Sequence, residues 1–260
     1  MKRVLITGAN SYIGTSFEKY VKENYPNDYI VETVDMIDGS WRNMSFAGYD
    51  SIFHVAGIAH QKETKKNAHL YYEVNRDLAI ETAQKAKQNG VKQFIFLSSM
   101  SVYGMDTGVI TKETKPSPKS HYGKSKLEAE QGINSLSSDN FKVCILRPPM
   151  VYGEGCKGNY GFLLMIARLF PVLPNYVNQR SMLSIDKLCK TVFICMDNVK
   201  DGIYLPQDDF YVCTCNMIAK IRKKMGKKFV ITGLINPIIW ILVKTTRHGK
   251  KAFGNLIYDK

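Results

Sequence analysis

A tyrosine and a lysine stand four residues apart in His121-Tyr122-Gly123-Lys124-Ser125-Lys126, with the helix formers Leu127, Glu128 and Ala129 directly behind. Four residues is about one helical turn, so the two side chains share a face. A free phenol is a poor base, with a pKa of about 10. A neighbouring ammonium favours the phenolate and draws that pKa toward working pH. Tyr122 with Lys126 is therefore expected to move a proton on and off an alcohol. Taken alone, such a pair is more often a surface helix that happens to carry both residues. A second polar group stands upstream, in Ser98-Ser99-Met100-Ser101-Val102-Tyr103-Gly104, directly after the apolar run Phe94-Ile95-Phe96-Leu97. Doubly wound sheets bind ligands at their strand C-termini, so these serines are well placed for chemistry.

The elements that must hold these groups begin at the N-terminus. Val4-Leu5-Ile6 reads as a buried strand. Thr7-Gly8-Ala9-Asn10-Ser11-Tyr12-Ile13-Gly14 follows, then an amphipathic helix through about Asn24. Gly8 allows the tight turn, Gly14 lets helix and strand approach, and the first-turn amides around Asn10, Ser11, Tyr12 and Ile13 point at a phosphate. Tyr29 to Val34 is a second strand, and Asp35 at its end lies 21 residues beyond Gly14. A carboxylate there hydrogen-bonds ribose hydroxyls and repels a 2′-phosphate, which favours NAD over NADP. Arg42 is near enough in sequence to serve a 2′-phosphate instead. Asp50 to Val55 is a third strand, running into Val55-Ala56-Gly57, where small residues let a flat ligand lie on the backbone. His54 reads as a packed strand-end histidine. Leu70 to Asn89 is a long helix carrying Asn75 and stopped by Gly90, Phe94 to Leu97 a fourth strand, and Thr107 to Ser120 a polar loop. Val143 to Leu146 is the next strand, followed by Arg147-Pro148-Pro149. This alternation predicts an α/β fold, a Rossmann-like doubly wound parallel sheet over residues 1–148. From 149 to 260 the regular alternation is lost, and a smaller substrate lobe is expected.

The net charge is +13, and lysine pairs stand at Lys223-Lys224, Lys227-Lys228 and Lys250-Lys251. Nucleic acid, an anionic membrane or a phosphorylated small molecule would each suit that sign, as would a plain solvated surface. Nothing else supports nucleic acid. The six cysteines lie in the second half without a Cys-x-x-Cys pair, which fits reduced thiols in cytoplasm and neither a zinc site nor a disulfide framework. The N-terminus runs straight into Arg3-Val4-Leu5-Ile6, so no signal peptide is expected. The apolar run Phe229 to Val243 is interrupted at Asn236-Pro237 and is shorter than the roughly 20 residues of a membrane span. It is expected to be a buried helix of the second lobe, with a membrane-surface helix as the lesser alternative.

These motifs, in this order, resemble the extended short-chain dehydrogenase/reductase superfamily, and within it the NAD-dependent nucleotide-sugar epimerase/dehydratase family. The resemblance covers nearly the whole chain. It implies Ser99, Tyr122 and Lys126 as catalytic residues. It implies a cofactor site at Gly8, Asn10, Ser11, Tyr12, Ile13, Gly14, Asp35, Val55, Ala56, Gly57, Asn75 and Pro149, with Tyr122 and Lys126. Asn178-Gln179-Arg180-Ser181-Met182-Leu183 looks like the family segment whose arginine holds the nucleotide diphosphate, which points to Arg180, and Asn159 is a further substrate candidate. No metal is implied; a homodimer is. Two departures stand out. Ser11 occupies the place of the family turn's middle glycine, and the chain ends earlier than family members usually do, so the substrate lobe is expected to be shortened. The implied reaction is transient oxidation at C4 of a UDP-hexose, a 4-epimerisation in surface polysaccharide biosynthesis. An NAD(P)H-dependent 4-keto-sugar reductase is the alternative within enzymes. A dehydratase would place acids after the active-site hydroxyl, where Met100-Ser101 supplies neither. A non-catalytic dinucleotide-binding module typically loses the tyrosine or the lysine, and both are present.

Overall fold

Short apolar runs bounded by turn residues form parallel strands, and the amphipathic stretches between them form helices. The computed structural model describes residues 1–59, 61, 63–156 and 158–260, apart from the Asn159 side chain. In chain order the first elements are β1 (Lys2–Thr7), α1 (Tyr12–Asn24), β2 (Tyr29–Val34), β3 (Ser51–His54), α2 (Ala68–Tyr72), α3 (Leu78–Gln88), β4 (Gln93–Leu97), β5 (Gly108–Ile110), α4 (His121–Asn134) and β6 (Lys142–Leu146). Then come β7 (Met150–Tyr152), α5 (Asn159–Leu169), β8 (Val172–Pro174), β9 (Met182–Ser184), α6 (Ile185–Asp197) and β10 (Gly202–Tyr204). The last are α7 (Thr214–Lys224), β11 (Val230–Thr232), α8 (Asn236–Thr245), α9 (Arg247–Phe253) and β12 (Leu256–Tyr258).

Two units divide the chain, and neither is continuous in sequence. The first takes Met1–Gly104, Pro116–Pro149 and Ile185–Pro206; the second takes Met105–Lys115, Met150–Ser184 and Gln207–Lys260. A division after residue 148 thus leaves α6 and β10 out of the first unit and β5 out of the second.

The first unit is built on a six-stranded sheet, β10-β6-β4-β3-β1-β2, with every pair parallel. Thr7 lies opposite Val34 on one side and His54 on the other; His54 lies opposite Phe96, and Leu97 opposite Leu146. The strands therefore end along one edge, and Gly8, Asp35, Val55, Ser98 and Arg147 each step off it. From β1 the chain goes outward to β2 and then returns to β3 on the other side of β1. That reversal is the topological switch point, where such sheets open a ligand crevice.

Side chains alternate between the faces of the sheet. Leu5, Ile52, Phe94, Phe96, Val143 and Ile145 pack with Ala79, Ala83 and Ala86 of α3 and with Ala129 and Ile133 of α4. Small residues on both helices let them lie close to the sheet. Elsewhere in this unit Phe17 of α1 meets Phe53 of β3 edge-on at 5.1 Å, and Tyr25, just past α1, stacks on Phe193 of α6 at 3.9 Å. The helix expected from Leu70 to Asn89 is interrupted by a π turn over Glu73–Asp77, which carries Asn75. Such turns gather at functional sites.

The second unit contains the parallel pairs β7–β9, β8–β11 and β5–β12. Its core joins Leu163 and Ala167 of α5 to Met217, Ile218 and Ile221 of α7. β5 lies in the stretch expected to be a plain loop; its partner β12 is far along the chain, so no local pattern announces it. The run Phe229 to Val243 needs a larger correction. It forms β11 and then α8, and α8 has no buried residue. Ile238, Trp240 and Ile241 are each more than half exposed. Ile239 and Val243 are partly covered, and a helix resting on a globular surface can hide only one stripe of its circumference. Pro237 does not break the run but starts α8, in the first turn, where its missing N–H costs little.

Candidate active site

The glycine turn sits at the switch point. Gly8 has φ +104°, and a Cβ on it would lie 2.9 Å from the Ala56 nitrogen. Gly8 and Ala9 N–H donate to the Val34 carbonyl at 2.9 and 3.0 Å, while Val55 and Ala56 N–H donate to the Thr7 carbonyl at 3.1 and 3.0 Å. Asn10 takes the left-handed conformation, φ +63°. Ser11 is the N-cap of α1, its Oγ accepting from Gly14 N–H at 3.2 Å. At the departure from the family glycine, therefore, serine serves as the cap that a helix start favours. Tyr12 and Ile13 open α1, and buried Gly14 brings the helix onto Ile6 and Val55, whose Cγ2 atoms would each lie 3.2 Å from an added Cβ. Asp35 is exposed, its carboxylate accepting from Ile37 N–H at 2.8 Å. Arg42 is held in a two-pronged pair with Glu81, with a contact of 2.6 Å, and lies over the Trp41 ring at 4.8 Å. Its guanidinium is thus committed elsewhere than to a 2′-phosphate.

Ser99 and Tyr122 come together across two neighbouring turns. Ser99 caps the short 3-10 turn Met100–Tyr103, accepting from Ser101 N–H at 3.1 Å. Ser120 caps α4, accepting from Gly123 N–H at 3.0 Å. The Glu63 carboxylate accepts from His121 and Tyr122 N–H at 3.1 and 3.0 Å, a negative charge where the helix dipole favours one. A Cβ on Gly123 would lie 2.6 Å from the Ser101 carbonyl oxygen, so the glycine is what admits α4 to the serine turn. The Tyr122 phenol is pushed up by burial; a hydrogen bond with Ser99 pulls it down, and the nearby Tyr71 raises it further.

Lys126 is buried in the same unit. Its Nζ donates to the Leu97 carbonyl at 2.9 Å and lies 4.6 Å from the Phe96 ring centroid. Burial pushes its pKa down to about 8, against the attraction of Glu130. The expectation that Lys126 draws the Tyr122 pKa down is not met: the phenol lies above its ordinary value. The lysine charge is turned to the strand carbonyl, and desolvation of the phenol outweighs its hydrogen bond. A Cβ on Gly57 would meet Asn75 Oδ1 at 2.8 Å and Lys126 Nζ at 3.4 Å, so these three converge. Asn75 is fully buried; its Oδ1 accepts from Ile58 N–H at 2.9 Å, and its Nδ2 donates to the Ile58 carbonyl at 3.0 Å and to Ser125 Oγ at 3.3 Å. That geometry holds the segment after β3 in place. His54, hydrogen-bonded to Thr7 Oγ1 at 2.8 Å and stacked near Phe94 and Phe96, is driven down to about 3 by burial and stays neutral.

A buried network behind these residues went unread in the sequence. Glu130, one turn past Lys126, pairs with Arg147 through Nη2 at 2.6 Å and Nε at 3.0 and 3.2 Å. Ser98 Oγ donates to the same carboxylate, and Arg147 Nη1 donates to the Tyr103 hydroxyl at 2.9 Å. α4, the end of β4 and the end of β6 are thereby tied together. The Met100 N–H donates to the Pro148 carbonyl at 2.9 Å, beside buried Pro149. The legible signal was Glu130, four residues after Lys126 on one helix face.

In the second unit, Arg180 bridges to Val212 and Leu256, and its Nη1 donates to the Gly254 carbonyl at 2.9 Å. Burial pushes its pKa down to about 10, so it remains cationic at neutral pH. Asn159 begins α5; its side chain lies outside the described residues.

Residues 4–170 match the family described as NAD dependent epimerase/dehydratase. A UDP-glucose 4-epimerase of Vibrio cholerae is 30% identical over an alignment covering 97% of this chain and 90% of that protein. An N-acetyl-alpha-D-glucosaminyl-diphospho-ditrans,octacis-undecaprenol 4-epimerase of Escherichia coli O157:H7 is 26% identical, covering 90% of this chain and 76% of that one. The crystal structure of a UDP-glucuronic acid 4-epimerase from Bacillus cereus in complex with NAD superposes with a TM-score of 0.75 at 18% identity, over 99% of this chain and 87% of that one, which shows the fold.

Proposed function

The chain belongs to the NAD dependent epimerase/dehydratase family, and on that premise we propose that it is a UDP-hexose 4-epimerase of surface polysaccharide biosynthesis. The observation that carries this reading is the close approach of α4, which bears Tyr122 and Lys126, to the turn that Ser99 caps, in the unit that also holds the glycine turn. Residues at that turn fit a dinucleotide. Side chains in place of Gly8 and Gly57 would run into Ala56 and into Asn75 with Lys126, so glycine is what lets the turns after β1 and β3 pack this closely. The turn from Gly8 through Asn10, Ser11, Tyr12, Ile13 and Gly14 offers the amide end of α1 to a pyrophosphate. Asp35 takes the ribose hydroxyls, Arg42 is occupied by Glu81, and the preference is for NAD over NADP. Val55, Ala56 and Pro149 line the cofactor face, and Asn75 holds Gly57 and Ile58 in position. Bound NAD supplies reversible acceptance of hydride from the sugar carbon.

The protein's own groups manage the hydroxyl at C4. Tyr122 removes its proton, and Ser99 Oγ hydrogen-bonds the same oxygen as it gains carbonyl character. Lys126, cationic below about pH 8, holds the cofactor ribose and supports the phenolate once the site is filled. Tyr122 returns the proton after the sugar presents its other face. Arg180 and Asn159 serve the nucleotide-sugar diphosphate. A second reading replaces the nucleotide by a polyprenyl diphosphate; the Escherichia coli relative, similar over most of this chain, favours it.

The test is NMR of UDP-N-acetylglucosamine and UDP-glucose incubated with the protein and NAD, without added reductant. A new C4 epimer, absent with Tyr122→Phe while NAD binding persists, is expected. Turnover only of a 4-keto sugar, and only with added NADH, would make the protein a reductase instead.

A further inference from the structure

Helix α8, Asn236–Thr245, reads Asn-Pro-Ile-Ile-Trp-Ile-Leu-Val-Lys-Thr and is apolar around its whole circumference, yet no residue of it is buried. A helix of that composition belongs in a core or against lipid. At about 1.5 Å per residue it is about 15 Å long, half a bilayer core, and among the described residues no helix is long and apolar enough to cross a membrane. Against a bilayer it is therefore long enough to lie in the interface but not to span. Leu234, 88% exposed, and the exposed Val230 and Ile231 of β11 extend the apolar surface ahead of it.

The charge of the chain is gathered in the same stretch. Between Asp209 and Asp259 there are ten lysines and arginines and no carboxylate, so most of the net +13 arises there. Lys244 lies 3.8 Å from the Trp240 ring centroid, an ammonium over an indole at the end of the helix. Before β11, Lys223, Lys227 and Lys228 line an open groove of about 640 Å³ with Pro171, Val172 and Val230. Apolar residues and ammonium groups are thus interleaved on one unit. Tryptophan beside lysine is the pairing that settles at headgroup depth, the ring in the acyl boundary and the ammonium toward phosphate.

We propose that α8 and the lysines flanking it seat the second unit on an anionic lipid bilayer. Ile238, Trp240, Ile241 and Leu242 enter the headgroup boundary, and the surrounding lysines meet acidic headgroups. A second copy docked through the same face would set two strongly positive stretches against each other, which like-charge repulsion opposes.

The experiment is co-sedimentation of the full chain with vesicles of phosphatidylglycerol and phosphatidylcholine, and with phosphatidylcholine alone, at low and at high salt. Retention is expected on the acidic vesicles and lost on the neutral ones and in high salt. Lys227→Ala and Lys228→Ala should each weaken it about fivefold, since a basic residue near an acidic surface contributes about that factor. Ile241→Asp should abolish it while leaving the far-ultraviolet spectrum unchanged, because the side chain is exposed. The chain has two tryptophans, Trp41 buried and Trp240 exposed. Acidic vesicles should shift the emission to the blue, and Trp240→Phe should remove that shift. Equal retention on neutral vesicles, or none on acidic ones by the folded chain, would overturn the proposal. So would a concentration-dependent dimer broken by Ile241→Asp without vesicle binding. No sugar or NAD enters the assay, so its failure leaves the epimerase reading standing, and failure of that reading leaves the docking surface standing.

Discussion

Glu130→Ala should be the most damaging single change behind the candidate active site. The Glu130 and Arg147 side chains are 3% and 7% exposed and meet through three contacts between 2.6 and 3.2 Å. Removing the carboxylate strands the guanidinium in a place water scarcely reaches, and Ser98 loses its acceptor. Breaking a buried pair from one side costs about 3–5 kcal/mol. At about 2–4 °C per kcal/mol for a chain of this size, the melting midpoint should fall by roughly 6–20 °C. Arg147→Met in the Glu130→Ala background removes the stranded charge, so the double variant should be more stable than Glu130→Ala alone. Thermal and urea unfolding of parent, singles and double closes the cycle. A loss below about 1 kcal/mol in the single variant, or strict additivity in the double, would refute the reasoning. Because Ser98 adjoins Ser99 and Glu130 follows Lys126 on α4, kcat should fall further than KM rises in whatever fraction remains folded.

Three other outcomes follow from the geometry. Gly123→Ala would push α4 off the Ser101 carbonyl, which a Cβ would approach to 2.6 Å; a displacement near 1 Å at a reacting group costs roughly a hundredfold in turnover, and near-parental kcat would show that α4 need not lie so close. Asp35→Ala should weaken NAD binding more than NADP binding, measured by fluorescence titration of both; a parent that already prefers NADP would contradict the placement of the ribose. Lys126, held down to about 8 by burial, is cationic below that pH and neutral above it. NAD affinity should therefore fall as pH rises through about 8, and Lys126→Arg, charged to beyond pH ~12, should abolish the fall; a flat profile for the parent would remove the lysine charge from cofactor binding.

Much was legible in the chain because it is local. The β-branched and aromatic runs at Val4-Leu5-Ile6, Tyr29 to Val34, Phe94 to Leu97 and Val143 to Leu146 became strands because apolar runs and flanking turn residues decide that over a few residues. The four-residue spacing of Tyr122 and Lys126 survives on α4 for the same reason. Ser11, a departure from the family pattern on paper, proved to be a helix cap, a role that its type and place could have announced.

What tertiary structure alone decided concerns partners distant in sequence and the water that packing removes. β5 exists because β12 returns beside it, and α6 and β10 rejoin the first unit after a long excursion. Glu130 and Arg147 sit on different elements, so nothing in either neighbourhood reveals their pairing. The Tyr122 phenol is pushed up, where spacing alone suggested down, because desolvation depends on everything packed around a group. For the same reason the most apolar run of the second half ends exposed on α8: composition states what a segment would gain by burial, and only the fold states whether anything is there to bury it.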